Sequence, residues 1–154
     1  MQFEIEVSQV SIESAWKALS RDKLEIIKKA APGLLIDSQI LGGDSFDLGS
    51  IVYVKFGPVA PHVPPYKEKL IEFDESKHIL SFLALDGGFL KLGFAHYVST
   101  IKLDDIGDGK ILITSSVAYD LEKDVDSKQL LEEFQQLYSL YLQSVVNYLQ
   151  KNNA

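Results

Sequence analysis

Residues 127–151, SKQLLEEFQQLYSLYLQSVVNYLQK, decide the fold. On a wheel advancing about 100° per residue, every apolar position in this stretch except Leu140 falls within about half the circumference. These positions are Leu130, Leu131, Phe134, Leu137, Tyr138, Tyr141, Leu142, Val145, Val146, Tyr148 and Leu149. Glu132, Glu133, Gln136, Ser139, Gln143, Asn147, Gln150 and Lys151 fill the other half, so the pattern predicts a long amphipathic helix with a wide dry face. About 25 helical residues extend roughly 37 Å, enough to cross a small domain. Three tyrosines on the dry half carry hydroxyls that need partners. Either they snorkel at the edges of an ordinary core helix, or a hollow interior with a ligand satisfies them.

Upstream of this helix the periodicity changes. Phe3, Ile5 and Val7 alternate with Glu4, Glu6 and Ser8, which predicts a half-buried strand over 3–10. Ser11 fits an N-cap, and Ile12, Ala15, Trp16 and Leu19 form one helical stripe. A second short helix is expected from Lys23 to Ala31, with Leu24, Ile27 and Ala30 on one side and Pro32-Gly33 as its stop. Between Leu34 and Asp120, short apolar runs broken by turn residues predict six strands, at about 34–41, 50–57, 66–74, 78–86, 90–104 and 110–120. Asp86-Gly87-Gly88 and Gly107-Asp108-Gly109 suit tight turns with positive φ. The links are too short for parallel crossovers. The order is therefore β-α-α-β6-α, an α+β fold in which seven antiparallel strands curve around the long helix and leave room for a cavity.

Composition narrows the function classes. The 154 residues make one domain, taken as 1–154, with 46% hydrophobic and 24% charged residues and no apolar run near the roughly 18 needed to span a membrane. Met1-Gln2-Phe3-Glu4 lacks the basic start of a signal peptide, so cytoplasmic residence is expected. The absence of cysteine excludes disulfides, thiolate zinc and cysteine nucleophiles. A net charge of −7 with no dense basic patch argues against nucleic acid. There is no GxSxG and no HExxH, and His62, His78 and His96 lie on separate segments. No metal, cofactor or catalytic residue is assigned.

Specific residues carry a resemblance across essentially the whole chain. Ala15-Trp16, Tyr66, Glu72-Phe73-Asp74-Glu75-Ser76, His78, Gly87-Gly88-Phe89-Leu90, Gly93, Tyr97, Thr100, Lys102-Leu103, Ser116 and Tyr119-Asp120 resemble the plant class-ten pathogenesis-related proteins. This is the helix-grip family of the major birch pollen allergen, and within it the sequence looks most like the cytokinin-specific, phytohormone-binding proteins. The resemblance implies an internal hydrophobic cavity for amphipathic molecules such as gibberellins, abscisic acid, cytokinins, flavonoids or fatty acids. It also implies a defence-associated intracellular binding protein, monomeric or weakly dimeric, without a membrane or nucleic-acid partner. A few family members instead condense amines with aldehydes or shift double bonds in alkaloid pathways. That enzyme role is the alternative function.

Two departures from the family pattern shape the expected site. Lys67 and Lys69 stand where the cytokinin binders hold adenine with a glutamine and a glutamate, so an acidic ligand is expected in place of an adenine-like one. The loop Gly42-Gly43-Asp44-Ser45-Phe46-Asp47-Leu48-Gly49 is one residue longer than the family's glycine-dense loop and bears a bulky Phe46. Along 66–74, Lys67, Lys69, Ile71 and Phe73 share one side, and its two apolar members turn that side inward; an edge strand with snorkelling lysines is the other possibility. Tyr141 and Tyr138 on the long helix, with Tyr53, Phe56, Phe82, Phe89, His96 and Tyr97 on the sheet, complete the expected ligand-binding set. In the enzyme alternative, a buried lysine acts as a base or as a Schiff-base nucleophile.

Overall fold

Alternation along the first strand sets the sheet's two faces. In β1 (Gln2–Ser8) the odd positions turn inward and Val7 is buried, while the even positions lie in solvent. Ser11 caps α1 (Ile12–Leu19) by accepting from the Ser14 backbone N–H at 3.1 Å, and α2 (Lys23–Ala30) follows after one turn. Then come β2 (Leu35–Leu41), β3 (Ile51–Phe56), β4 (Tyr66–Asp74), β5 (Ile79–Gly87), β6 (Phe94–Gly107), β7 (Lys110–Leu121) and α3 (Ser127–Asn152). The computed structural model describes residues 1–152; residues 153–154 of the expected domain lie outside the described residues.

The seven strands form one antiparallel sheet in the order β1-β7-β6-β5-β4-β3-β2. Only the first strand breaks sequence order, by pairing with the last. α3 buries Leu130, Phe134, Leu137, Leu142, Val145, Val146 and Leu149 in the cluster that also holds Val52, Leu70, Leu80, Leu103 and Ile113 of the sheet. Each such side chain contributes about 1.5–3 kcal/mol when fully withdrawn from water. Leu140, outside the apolar half of the wheel, is exposed. Among the described residues no helix is long and apolar enough to cross a membrane.

One expected boundary moves. The segment after β5 forms a 3-10 turn over Gly88–Lys91, and β6 starts at Phe94 instead of position 90. Gly87 (φ 77°) and Gly88 (φ 54°) allow this turn. A Cβ at Gly87 would strike the Pro65 carbonyl, and one at Gly88 would come within 2.9 Å of the Tyr66 Cβ, so these glycines let the turn lie directly over Tyr66.

Two bulges change which side chains enter the interior. Leu70 pairs with Phe82 and Glu72 with Ser81, leaving Ile71 without an opposite residue. Phe94 pairs with Leu121 and His96 with Asp120, which leaves Ala95 unpaired in the same way. Alternation reverses phase across each bulge.

Candidate functional site

The site begins with Lys23, the first residue of α2. It lies four positions before Ile27, which is 1% exposed, and therefore on the same stripe of that helix. The lysine stem follows Ile27 inward until its side chain is only 15% exposed. Its Nζ lies 3.5 Å from Glu68 Oε1, 4.2 Å from the Phe82 ring centroid and 5.6 Å from that of Tyr141. Both rings present negative faces to the ammonium.

Glu68 is the acidic partner, with a side chain 4% exposed. Burial pushes its carboxyl above the ordinary glutamate value, and the Lys23 ammonium pulls it partly back by charge and by hydrogen bonding. An ion pair withdrawn from water in this way holds only while both partners are present.

Beside the pair lies a partly enclosed cavity with about 50 Å³ of space for the centres of water-sized molecules. α2 supplies Lys23, Leu24 and Ile27; Leu34 and β2 supply Leu35 and Ser38; β3 supplies Val54 and Phe56; β4 supplies Tyr66; α3 supplies Leu137, Tyr138 and Tyr141. The walls are mainly apolar with a few convergent polar atoms, which is the composition of small-molecule sites. Tyr138 donates to Ser99 Oγ at 3.2 Å, whereas the buried Tyr141 hydroxyl and Ser38 Oγ have no partner among the described residues. Burial raises the phenol pKa of Tyr66, Tyr138 and Tyr141, and the charge of Glu68 raises each further. All three therefore remain neutral hydroxyls across the physiological range. His62 Nε2 pairs with Glu133 Oε1 and so ties the proline-rich β3–β4 connection to α3. No group of three or more His, Asp or Glu side chains converges among the described residues in a way that would hold a metal.

The expected inward side of β4 is corrected. Lys67 and Lys69 lie on the outer, exposed face, while Tyr66, Glu68 and Leu70 turn inward. Ile71 and Phe73 had argued for the opposite assignment. Ile71 is the bulge residue and is exposed, and Phe73 turns inward only because the phase changes after it. His96 is corrected for the same reason: Phe94 is fully buried, Ala95 is the extra residue, and the inward series resumes at Tyr97, leaving His96 exposed. Tyr53 lies between buried Val52 and Val54 and opposite Lys67, so it belongs to the outer face.

Of the remaining candidates, Phe56, Tyr138 and Tyr141 line the cavity. Phe89 and Tyr97 instead pack into a solid aromatic cluster. The Phe134 ring stacks on Tyr138 at 4.6 Å and meets Phe89 at 4.9 Å, Phe94 at 5.3 Å and Tyr97 at 5.4 Å edge-on. Phe82 sits one layer behind the cavity, beneath Lys23. Sequence reasoning passed over Lys23, Ser38 and Glu68. The available signals were the spacing of Lys23 from Ile27 and the alternation of Glu68 between Tyr66 and Leu70.

No family model matches the chain. Norbelladine synthase from Narcissus pseudonarcissus is 24% identical over 125 residues, covering 80% of this chain and 76% of that protein. A probable intracellular pathogenesis-related protein T1 from Catharanthus roseus is 30% identical over 112 residues, covering 72% of this chain and 70% of that protein. S-norcoclaurine synthase 1 from Papaver somniferum is 23% identical over 128 residues and 82% of this chain, which spans only 54% of the poppy protein. Among solved structures, norcoclaurine synthase from Thalictrum flavum in complex with dopamine and hydroxybenzaldehyde superposes with a TM-score of 0.77 at 22% identity, over 100% of this chain and 87% of that one. At that identity the likeness is one of fold.

Proposed function

This chain belongs to the class-ten pathogenesis-related family of the major birch pollen allergen, and on that premise we propose that its cavity binds a small aromatic amine and condenses it with an aldehyde. The buried Glu68 carboxyl, held 3.5 Å from the ammonium of Lys23 in the wall of an aromatic cavity, carries this reading. A carboxylate in such surroundings recognises an amine and can take its proton. In the condensation, the amine nitrogen bonds to the carbonyl carbon and gives up two protons, and the carbonyl oxygen leaves with them as water. Glu68 accepts a proton from nitrogen and returns it to the departing hydroxyl. Its raised pKa, nearer neutrality than an ordinary glutamate, suits both halves of that transfer. The neutral hydroxyls of Tyr66 and Tyr141 orient the two reactants. Two of the relatives described above are named norbelladine synthase and S-norcoclaurine synthase, and one solved neighbour holds dopamine and hydroxybenzaldehyde, an amine and an aldehyde, which supports this reading.

The test is incubation with dopamine and 4-hydroxybenzaldehyde, followed by borohydride reduction and mass spectrometry. A protein-dependent product at the summed mass less water, plus the two hydrogens of reduction, is expected. Glu68→Gln should form it at least ten-fold more slowly. A second reading, a carrier of hormone-type acids without turnover, is favoured by the ammonium of Lys23 among the cavity walls. Saturable binding of gibberellin or abscisic acid with no new mass would select the carrier, and no binding of either class would overturn both. The Catharanthus relative is named intracellular, and residence in the cytoplasm is part of the proposal.

A further inference from the structure

Ser38 sits in β2 between the outward-facing Asp37 and Gln39, and at 3% exposure it is buried. Its hydroxyl has no partner among the described residues. Other buried serines use theirs: Ser20 donates to the Trp16 carbonyl at 2.6 Å, Ser81 donates to Glu72 at 3.0 Å, and Ser99 accepts from Tyr138 at 3.2 Å. A hydroxyl withdrawn from water without a partner costs free energy that an alanine or valine in the same place would not.

The orphaned hydroxyl belongs to the cavity wall, where Leu34, Leu35, Val54, Phe56 and Leu137 are its apolar companions. Ser38 stands opposite Val54, and Val54 opposite Tyr66, so these three share one row of the inner face. Glu68 belongs to the next inward row, opposite Val52, which faces Ile40 in turn. Two strand spacings across and one two-residue step along therefore separate the Ser38 and Glu68 backbones, about 12 Å in all. The Lys23–Glu68 pair and Ser38 are thus separate polar points of one interior, the first charged and the second neutral. A charge held against the apolar wall at Ser38 would lose its water with nothing to balance it, so the group that fits there is neutral. Serine both donates and accepts, and a ligand hydroxyl is the neutral group that answers both capacities.

We propose that Ser38 sets a preference for hydroxylated ligands: its Oγ forms a hydrogen bond with a neutral hydroxyl on the ligand, at a point of the cavity apart from the Lys23–Glu68 pair. An analogue without that hydroxyl leaves Ser38 unpaired and forgoes the bond. This role rests on the cavity being a ligand site, as proposed above, and not on the amine–aldehyde chemistry.

NMR titration with 4-methylphenol and with toluene, two neutral molecules that differ by one hydroxyl, tests it without involving an amine. The ratio of the two affinities would be compared in wild type, Ser38→Ala and Ser38→Thr, with a cooperative thermal transition as proof of folding. Taking the ratio cancels any change in the cavity that both molecules feel alike. Ser38→Ala should lower the preference for 4-methylphenol over toluene at least three-fold, and Ser38→Thr, which keeps the hydroxyl, should lower it less. If Ser38→Ala fails to fold, Ser38→Cys, close in size but a weak donor, takes its place. A smaller change in the folded variant, an equal loss in Ser38→Thr, or a wild type that binds neither molecule overturns the proposal. The expected series for the neutral pair, together with no binding of dopamine, overturns the amine reading and leaves the role of Ser38 standing.

Discussion

Replacing Lys23 with methionine keeps most of the buried stem and deletes the ammonium 3.5 Å from Glu68. Glu68 then stays 4% exposed with no cation beside it. Removing one partner of a buried ion pair costs about 3–5 kcal/mol. At roughly 2–4 °C per kcal/mol for a chain of this size, the melting temperature at pH 7.5 should fall by about 6–20 °C. The pH dependence has a definite sign. Burial already raises the Glu68 pKa above its unfolded value, and loss of Lys23 raises it further. A raised carboxyl pKa means that the folded state holds the proton more tightly, so stability is greatest below the unfolded pKa and is lost as pH rises through the folded one. The Lys23→Met deficit should therefore be largest at pH 7.5 and shrink toward pH 4.5, where the remainder is about 1 kcal/mol for the lost hydrogen bond. Urea denaturation at both pH values, on wild type, Lys23→Met, Glu68→Leu and the double variant, measures this. The double variant should recover most of the loss at pH 7.5. An equal deficit at both pH values, or a double variant no more stable than Lys23→Met, refutes the buried pair.

Lys67→Gln and Lys69→Glu alter exposed side chains on the outer face of β4, so calorimetric titration should find ligand affinity within two-fold of wild type for either class of ligand. Tyr141→Phe deletes a buried hydroxyl that has no partner among the described residues; a thermal melt should show the free protein unchanged or stabilised by about 1 kcal/mol, with weaker ligand binding by titration. Gly87→Ala sets a Cβ against the Pro65 carbonyl at φ 77°, and urea denaturation should record a loss of about 2 kcal/mol or more.

The long helix, the strand–helix–helix opening and the antiparallel run were readable because each depends on periodicity alone. A wide apolar half on a 26-residue helix has to be buried against a large apolar surface, which here the sheet supplies. Leu140, outside that half, is exposed as its wheel position requires. The interior was harder to read, because aromatic residues that can line a cavity can equally fill it. Phe89, Tyr97 and Phe134 do the second, with ring spacings of 4.9 to 5.4 Å. Composition alone does not distinguish the two outcomes, since the distance between sheet and helix depends on curvature.

The facing of β4 was misread for a more specific reason, and the consequence is chemical. Period-two reasoning propagates one phase along a strand, and a bulge inverts it without any residue that announces the inversion. Ile71 is an ordinary strand residue, yet leaving it unpaired opposite Phe82 and Ser81 places Phe73 inside on one side of it and Glu68 inside on the other. Had the phase held, two lysines would have faced the cavity and an acid would have been the natural ligand. With the phase broken, a carboxylate faces inward, and the one lysine beside it comes from α2. The polarity of the interior is thus decided by a single unpaired residue in β4, which turns a carboxylate inward and two lysines outward while leaving the fold as it was.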